Sequence, residues 1–315
     1  MAPLTSLEIA KGPCYYLPHH PVLKDSSTSP IRVVFNASST TSNGLSLNDC
    51  LLTGPKLQLD LPSIILKGRS HRLVFAADIA KMFRQIMIHT EESNFQRILW
   101  RSSPDQPVTH YRLMTVTYGT ATVPYLAMRV LQQLCSDEGS DFPLAVPVLR
   151  DTTYVNDVLF GANDVNTVQE IRKQLDSLLH RGGFHLRKWS SNYEDLLQDI
   201  PTSDRLDLNN VLFSEDCTTK ILGISWNPTT DSFNYQIKLP NSHGKTKRYV
   251  MSTIASLFDP LGWIAPVVIS AKILMQELWI RGVNWDDTLP DDLLSRWNSY
   301  SRALRTQVYL NTKMD

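Results

Sequence analysis

Two acidic residues, Asp78 and Asp157, stand where chemistry could be done. Asp78 lies near the end of a β-rich run from Leu73 to Ile79. Asp157 falls within Thr152-Thr153-Tyr154-Val155-Asn156-Asp157-Val158-Leu159-Phe160, where two β-rich runs flank an Asn-Asp pair. Each carboxylate is followed by apolar sequence, which is unusual for plain surface charge. If the two segments are neighbours, one edge of a sheet carries both. That arrangement suits Mg²⁺, a hard ion that takes oxygen ligands and keeps several waters. Two such ions can activate a 3′-hydroxyl, steady a pentavalent phosphorus and take up the charge of a leaving pyrophosphate. Read one at a time, each aspartate is first of all a turn or strand-end residue.

The elements that must position these residues follow from periodicity. Leu73, Phe75 and Ala77 share one face of a strand that runs into Lys81-Met82-Phe83, with helix and loop both open beyond. The Asn156-Asp157 pair reads as a tight hairpin, because Asn and Asp tolerate the positive φ of such turns. Upstream, Ile31 to Phe35 is a strand stopped by Asn36-Ala37-Ser38, and Tyr111 to Thr117 alternates again. Thr122 to Cys135 has helical spacing with Pro124 in its first turn. Val165 to Arg181 places Val168, Ile171, Leu175 and Leu178 on one helical face, and Gly182-Gly183 stops it. Strand-like runs follow at Phe184 to Trp189, Lys220 to Trp226 and Phe233 to Ile237. From Arg248 the pattern is helical, broken at Asp259-Pro260-Leu261-Gly262, and Trp263 to Ile280 reads as an amphipathic helix. Strands and helices mix without strict βαβ alternation, which favours an α+β fold built on a palm-like sheet.

Bulk properties restrict the function classes. The 315 residues suffice for about two domains or one multi-lobed one. Hydrophobic residues make up 42% and charged residues 20%, and the formal net charge is zero, so no global basic signature of nucleic-acid binding exists. Any such surface must come from local clusters: Lys67 to Arg72, Arg181 to Lys188, and Lys245 to Arg248. Asp286, Asp287, Asp291 and Asp292 oppose them, and any one cluster read alone is solvated surface charge. Cys14, Cys50, Cys135 and Cys217 lie far apart, as reduced intracellular thiols do. Cys14 with His19 and His20 is too thin a ligand set for zinc. No apolar run is long enough to cross a bilayer, so no membrane partner is expected.

The order of segments resembles the reverse transcriptase of Pao/BEL-class long-terminal-repeat retrotransposons. The likeness runs from about Tyr15 to Leu304. Its pieces are Leu17-Pro18-His19-His20-Pro21-Val22, Arg32-Val33-Val34-Phe35-Asn36-Ala37-Ser38, Leu45 to Leu51, and Asp78-Ile79-Ala80-Lys81-Met82-Phe83. Then come Tyr118-Gly119-Thr120, Tyr154-Val155-Asn156-Asp157, Gly183-Phe184-His185-Leu186-Arg187-Lys188-Trp189 and Phe258-Asp259-Pro260-Leu261-Gly262. A four-residue hairpin motif is weak alone; eight segments in order are not.

The resemblance implies an α+β right-hand polymerase with fingers, a palm with an antiparallel sheet, and a helical thumb. An N-terminal segment and fingers would fill residues 1–70, the palm with an interleaved fingers segment 71–215, primer-grip-like strands 216–240, and a helical thumb with the start of a connection 241–315. It implies RNA-directed DNA synthesis with two Mg²⁺ ions, on an RNA or DNA template–primer duplex and a dNTP. Asp78 and Asp157 would bind metal, and Lys188 would protonate the leaving pyrophosphate. Lys24 and Arg32 would hold the triphosphate, for which a cation and a planar guanidinium are apt. Phe83, five residues beyond Asp78, would exclude a 2′-hydroxyl, though without the family it is equally a core aromatic. Tyr118 and Gly119 would lie under the nucleotide and template. Sequence for a protease, an RNase H or an integrase is not expected within the chain.

The family's hairpin carries two consecutive aspartates, and here the first is Asn156. Asparagine keeps the shape and an oxygen but loses the charge. Asn36 likewise stands where the family has aspartate. The expected fold therefore survives while metal binding and catalysis suffer. The alternative to an enzyme is a catalytically silent remnant that still grips nucleic acid.

Overall fold

The strand Leu73–Ile79 is apolar at every position except Asp78, so it must be covered on both faces. It lies inside a four-stranded antiparallel sheet, ordered Thr153–Tyr154, Asp157–Ala162, Leu73–Ile79, Leu186–Ser191. Leu73, Phe75, Ala77 and Ile79 point to one face, with Val158, Phe160 and Ala162 beside them. That face packs on the helices Val123–Asp137, Ala145–Asp151 and Val165–Arg181. Val74, Ala76 and Leu159 point the other way, onto Ile64 and Ile65 of the helix Leu61–Arg69 and onto Ile224, Trp226 and Phe233. The layers are helices, sheet, then helix with hairpin. This is a computed structural model, and it describes residues 1–10, 12–23, 30–206, 219–221, 224–235, 244–257, 259–306 and 310–313.

Two smaller sheets accompany the central one, the first before it in the chain and the second formed largely by residues between Ile79 and Thr153. His19–Leu23 pairs with Ile31–Phe35, and Arg97–Trp100 pairs with Thr109–Arg112, which also receives Ala2–Pro3. The alternating stretch expected to be one strand from Tyr111 to Thr117 changes partner after Arg112. Val116 N–H donates to the Ile86 carbonyl (2.9 Å), and Ile88 N–H to that of Met114 (3.1 Å). Beyond Ile79 the open choice resolves to a short helix, Met82–Gln85, entered through Lys81 at φ 50°.

The helix Val165–Arg181 runs over the expected residues, and Gly183 at φ 75° ends it. The run Lys220 to Trp226 is not one strand but two, Thr219–Ile221 and Ile224–Asn227, which pair antiparallel with each other. A third, Ser232–Tyr235, pairs with Ile224–Asn227 and with Leu310–Lys313.

The C-terminal part holds the helices Lys247–Ala255, Ala265–Ile280 and Asp291–Thr306 around Val250, Leu274, Leu278, Leu293 and Trp297. Asp259 accepts from Trp263 and Ile264 N–H, both at 2.9 Å, and so shapes the break between the first two. The expectation of an amphipathic helix there fails: Ala271, Leu274 and Leu278 are buried, yet Ile269, Ile273 and Ile280 on the outer side are exposed. Among the described residues no helix is long and apolar enough to cross a membrane. Cys14, Cys50 and Cys135 are free thiols, and Cys217 lies outside the described residues.

Candidate active site

Side chains alternate along a strand, so Asp78 shares a face with Val74 and Ala76, and Asp157 with Leu159. The register sets Asp78 directly opposite Asp157, on adjacent strands. Two carboxylates far apart in sequence thus meet at one end of the sheet, both half-buried.

The turn that delivers Asp157 differs from expectation. Tyr154 pairs with Asp157, which leaves Val155 and Asn156 as the two turn residues. The positive φ falls on Val155 (55°), not on the Asn-Asp pair. A β-branched residue in that region is strained, and strain of this kind persists only where the surroundings hold it. Ile79 N–H donates to the Asn156 carbonyl at 2.7 Å and ties the turn to the neighbouring strand.

Asn156 faces both carboxylates. Its Nδ2 donates to Asp78 Oδ2 at 2.5 Å and to Asp157 Oδ1 at 3.3 Å. Lys188 Nζ lies 3.8 Å from Asp78 Oδ2. A bulge brings it there: Ala76 pairs with Ser190 but Asp78 with Arg187, and Lys188 takes φ 55° in between. Trp189, displaced from the ladder, donates to the Asp204 carbonyl and accepts from Leu206 N–H, both at 2.9 Å. The Asp204 carboxylate lies 3.3 Å from His185 Nε2 and 3.2 Å from Arg187 Nε. Burial would raise its pKa, but the hydrogen bonds and charge of these two partners outweigh that and hold it below the usual range.

Two carboxylates with waters meet the ligand needs of one Mg²⁺. They do not fit two ions as arranged. A third charge is missing, and the Asn156 amide turns N–H groups toward the very oxygens a cation needs. Among the described residues, His, Cys, Asp and Glu nowhere gather in threes able to hold a metal.

A second cluster forms around Tyr118. The Arg32 guanidinium lies 5.6 Å from the Tyr118 ring centre, and the Phe35 ring 5.3 Å from it. Gly119 sits at φ 102°, and a Cβ there would lie 2.5 Å from the Phe35 carbonyl oxygen, so only glycine fits. Asn48 holds this loop: its side chain donates to Gly119 O (3.1 Å) and Ser38 Oγ (2.8 Å) and accepts from Ala121 N–H (2.8 Å). Sequence reasoning assigned Asn48 no role, since nothing local shows contacts that cross to Gly119 and Ala121. Phe83 is half-buried against the main core. Asn36 is exposed and accepts from Ser38 N–H at 3.1 Å, a turn that aspartate would make equally well. Lys24 and Phe258 lie outside the described residues, as do Leu222 and Gly223 of the Lys220 to Trp226 run.

Comparison with known proteins adds two findings. Residues 246–312 match a family model described as a Pao retrotransposon-like RNaseH-like domain. That description replaces the expectation that no RNase H-type sequence falls within the chain; over those residues the described structure has three helices and one strand. No curated protein matches the chain. Among solved structures, the foamy viral protease-reverse transcriptase in complex with RNA/DNA hybrid is 13% identical. Its TM-score is 0.57, with 95% of this chain and 34% of that one covered. The same enzyme in a dRH form with dsDNA gives 14%, 0.59, 95% and 45%, and with dsDNA in a further structure 15%, 0.59, 95% and 53%. The chain spans about a third to a half of the length of these structures. Its α+β fold with antiparallel sheets is similar to that of retroviral reverse transcriptases.

Proposed function

We propose that the chain is a reverse-transcriptase core from a retrotransposon Pol protein, one that grips a template–primer duplex while its DNA synthesis is lost or strongly reduced. The observation that carries this reading is the pairing of Asp78 with Asp157, with the Asn156 amide donating to both. In this reading the two aspartates are what remains of a carboxylate set for two Mg²⁺ ions. The fold likeness and the retrotransposon match at residues 246–312 support it.

The remaining roles follow on the same reading. Arg32, with its guanidinium 5.6 Å from the Tyr118 ring centre, would hold the triphosphate of a dNTP together with Lys24, and Tyr118 and Gly119 would lie beneath the nucleotide. Phe83 checks the sugar, and Lys188 is the cation placed to protonate pyrophosphate. Residues 1–70 would serve as N-terminal segment and fingers, 71–215 as palm with an interleaved fingers segment, 216–240 as primer-grip-like strands, and 241–315, which include the stretch matched by the RNaseH-like family model, as helical thumb and the start of a connection.

Loss of even an outer partner of a metal ligand costs ~10–100-fold, so loss of a ligand charge costs at least that. Mg²⁺-dependent primer extension on an RNA template tests the reading. Full activity from the unmodified chain overturns the loss of synthesis. Absence of salt-dependent duplex binding overturns the nucleic-acid role as well.

A further inference from the structure

We infer that the Asn156 side chain takes the place of a cation between Asp78 and Asp157, so that its N–H groups close the centre without metal. This rests on reading the two aspartates as the remainder of a metal site.

Like charges directly opposite on paired strands repel, and Asp78 and Asp157 stand in that relation. Something must offset the repulsion. An amide nitrogen carries two hydrogens, and here a single Nδ2 serves both carboxylates, at 2.5 Å and 3.3 Å. Turned about its axis, the side chain would set its carbonyl oxygen against two anionic oxygens, so its orientation follows from the charges around it. Lys188, 3.8 Å from Asp78, adds positive charge from the other neighbouring strand. The Val155 turn and the bond from Ile79 to the Asn156 carbonyl hold the backbone in the position that makes this possible.

A divalent cation can enter only by displacing the amide. The unmodified chain therefore gains no stability from Mg²⁺ or Mn²⁺. Asn156→Asp removes both donors and adds a third negative charge, which converts the same site into one that needs a cation.

Thermal unfolding in EDTA and in Mn²⁺, with KCl matching the ionic strength, reads this directly. The unmodified chain is expected to show the same Tm in both. Asn156→Asp should melt about 2–6 °C lower in EDTA and recover in Mn²⁺. A Tm of the unmodified chain that rises with Mn²⁺, or an Asn156→Asp Tm indifferent to Mn²⁺, overturns the proposal. Because that variant can fail to fold, Mn²⁺ binding to the unmodified chain is also followed by EPR. Site-bound Mn²⁺ that Asp157→Asn abolishes overturns the proposal, and its absence supports it. Duplex binding, measured separately, distinguishes the two ideas: its loss with this metal pattern intact defeats the functional reading alone.

Discussion

An amide and a carboxylate have nearly the same shape, but they differ in sign where it matters most in this chain. Asn156→Ala deletes two hydrogen bonds to charged groups and leaves Asp78 and Asp157 facing each other. Urea unfolding should register a loss of about 1–3 kcal/mol. Lys188→Ala should cost little in the same assay, since the side chain is 65% exposed and its pair with Asp78 is screened. Both aspartates stood out as acidic residues at the ends of β-rich runs, each followed by apolar sequence, although either one alone reads as a turn or strand-end residue. The role of Asn156 was legible only as a missing charge. Its donation to both carboxylates depends on strand register and on a turn whose strained position is Val155, and no local pattern marks either.

Secondary-structure elements set by near neighbours were readable, and those set by distant partners were not. Val165–Arg181 announces itself through helical spacing and two glycines after it, and the structure adds Asp164 as an N-cap that accepts from Thr167 N–H. The bulge that aims Lys188 is hidden, because it forms only when Trp189 leaves the sheet to pair with Asp204 and Leu206. The loop under Tyr118 is equally non-local. Gly119→Ala introduces a clash with the Phe35 carbonyl and an unfavourable φ, and should destabilise by about 2 kcal/mol or more. A pH series tests the Asp204 anchor. Its lowered pKa contributes stability that is fully present above the ordinary value of 3.8 and is lost as pH falls through the lowered value. Asp204→Asn should therefore melt below the unmodified chain at neutral pH, with the gap closing in acid below about pH 3.8.

At the scale of the whole molecule, zero net charge conceals how the cationic clusters are used. Arg248 is bidentate to Asp286 at 2.7 and 2.9 Å, Arg281 pairs with Asp292, and buried Lys247 rests 4.3 Å from the Trp279 ring centre. The two exposed pairs add little to stability, since the apolar cluster around Val250, Leu274 and Trp297 joins these helices, but they engage cationic side chains that a polyanion would otherwise meet. Arg69 is likewise engaged, between layers. Its buried guanidinium pairs with Asp231 at 2.5 Å and stacks near Trp226 and Phe233, joining the helix Leu61–Arg69 to the hairpin. Asp231→Ala strands that charge and should cost about 2–3 kcal/mol in urea unfolding, less than a fully buried pair because Asp231 is partly exposed. The α+β class was foreseeable from the mixing of strands and helices, whereas the meeting of Asp78 with Asp157 across 78 intervening residues was implied only by the family resemblance. The apolar outer side of Ala265–Ile280 was not foreseeable, since spacing alone does not say which side a neighbouring helix covers.

Single-nucleotide incorporation into a primer annealed to RNA, with the unmodified chain and Asn156→Asp compared side by side in Mg²⁺, tests the central claim most directly. The restored charge should raise the rate by at least ~10–100-fold. Equal rates for the two proteins, with the unmodified chain fully active, would contradict the assignment of Asn156 as the residue that silences the centre.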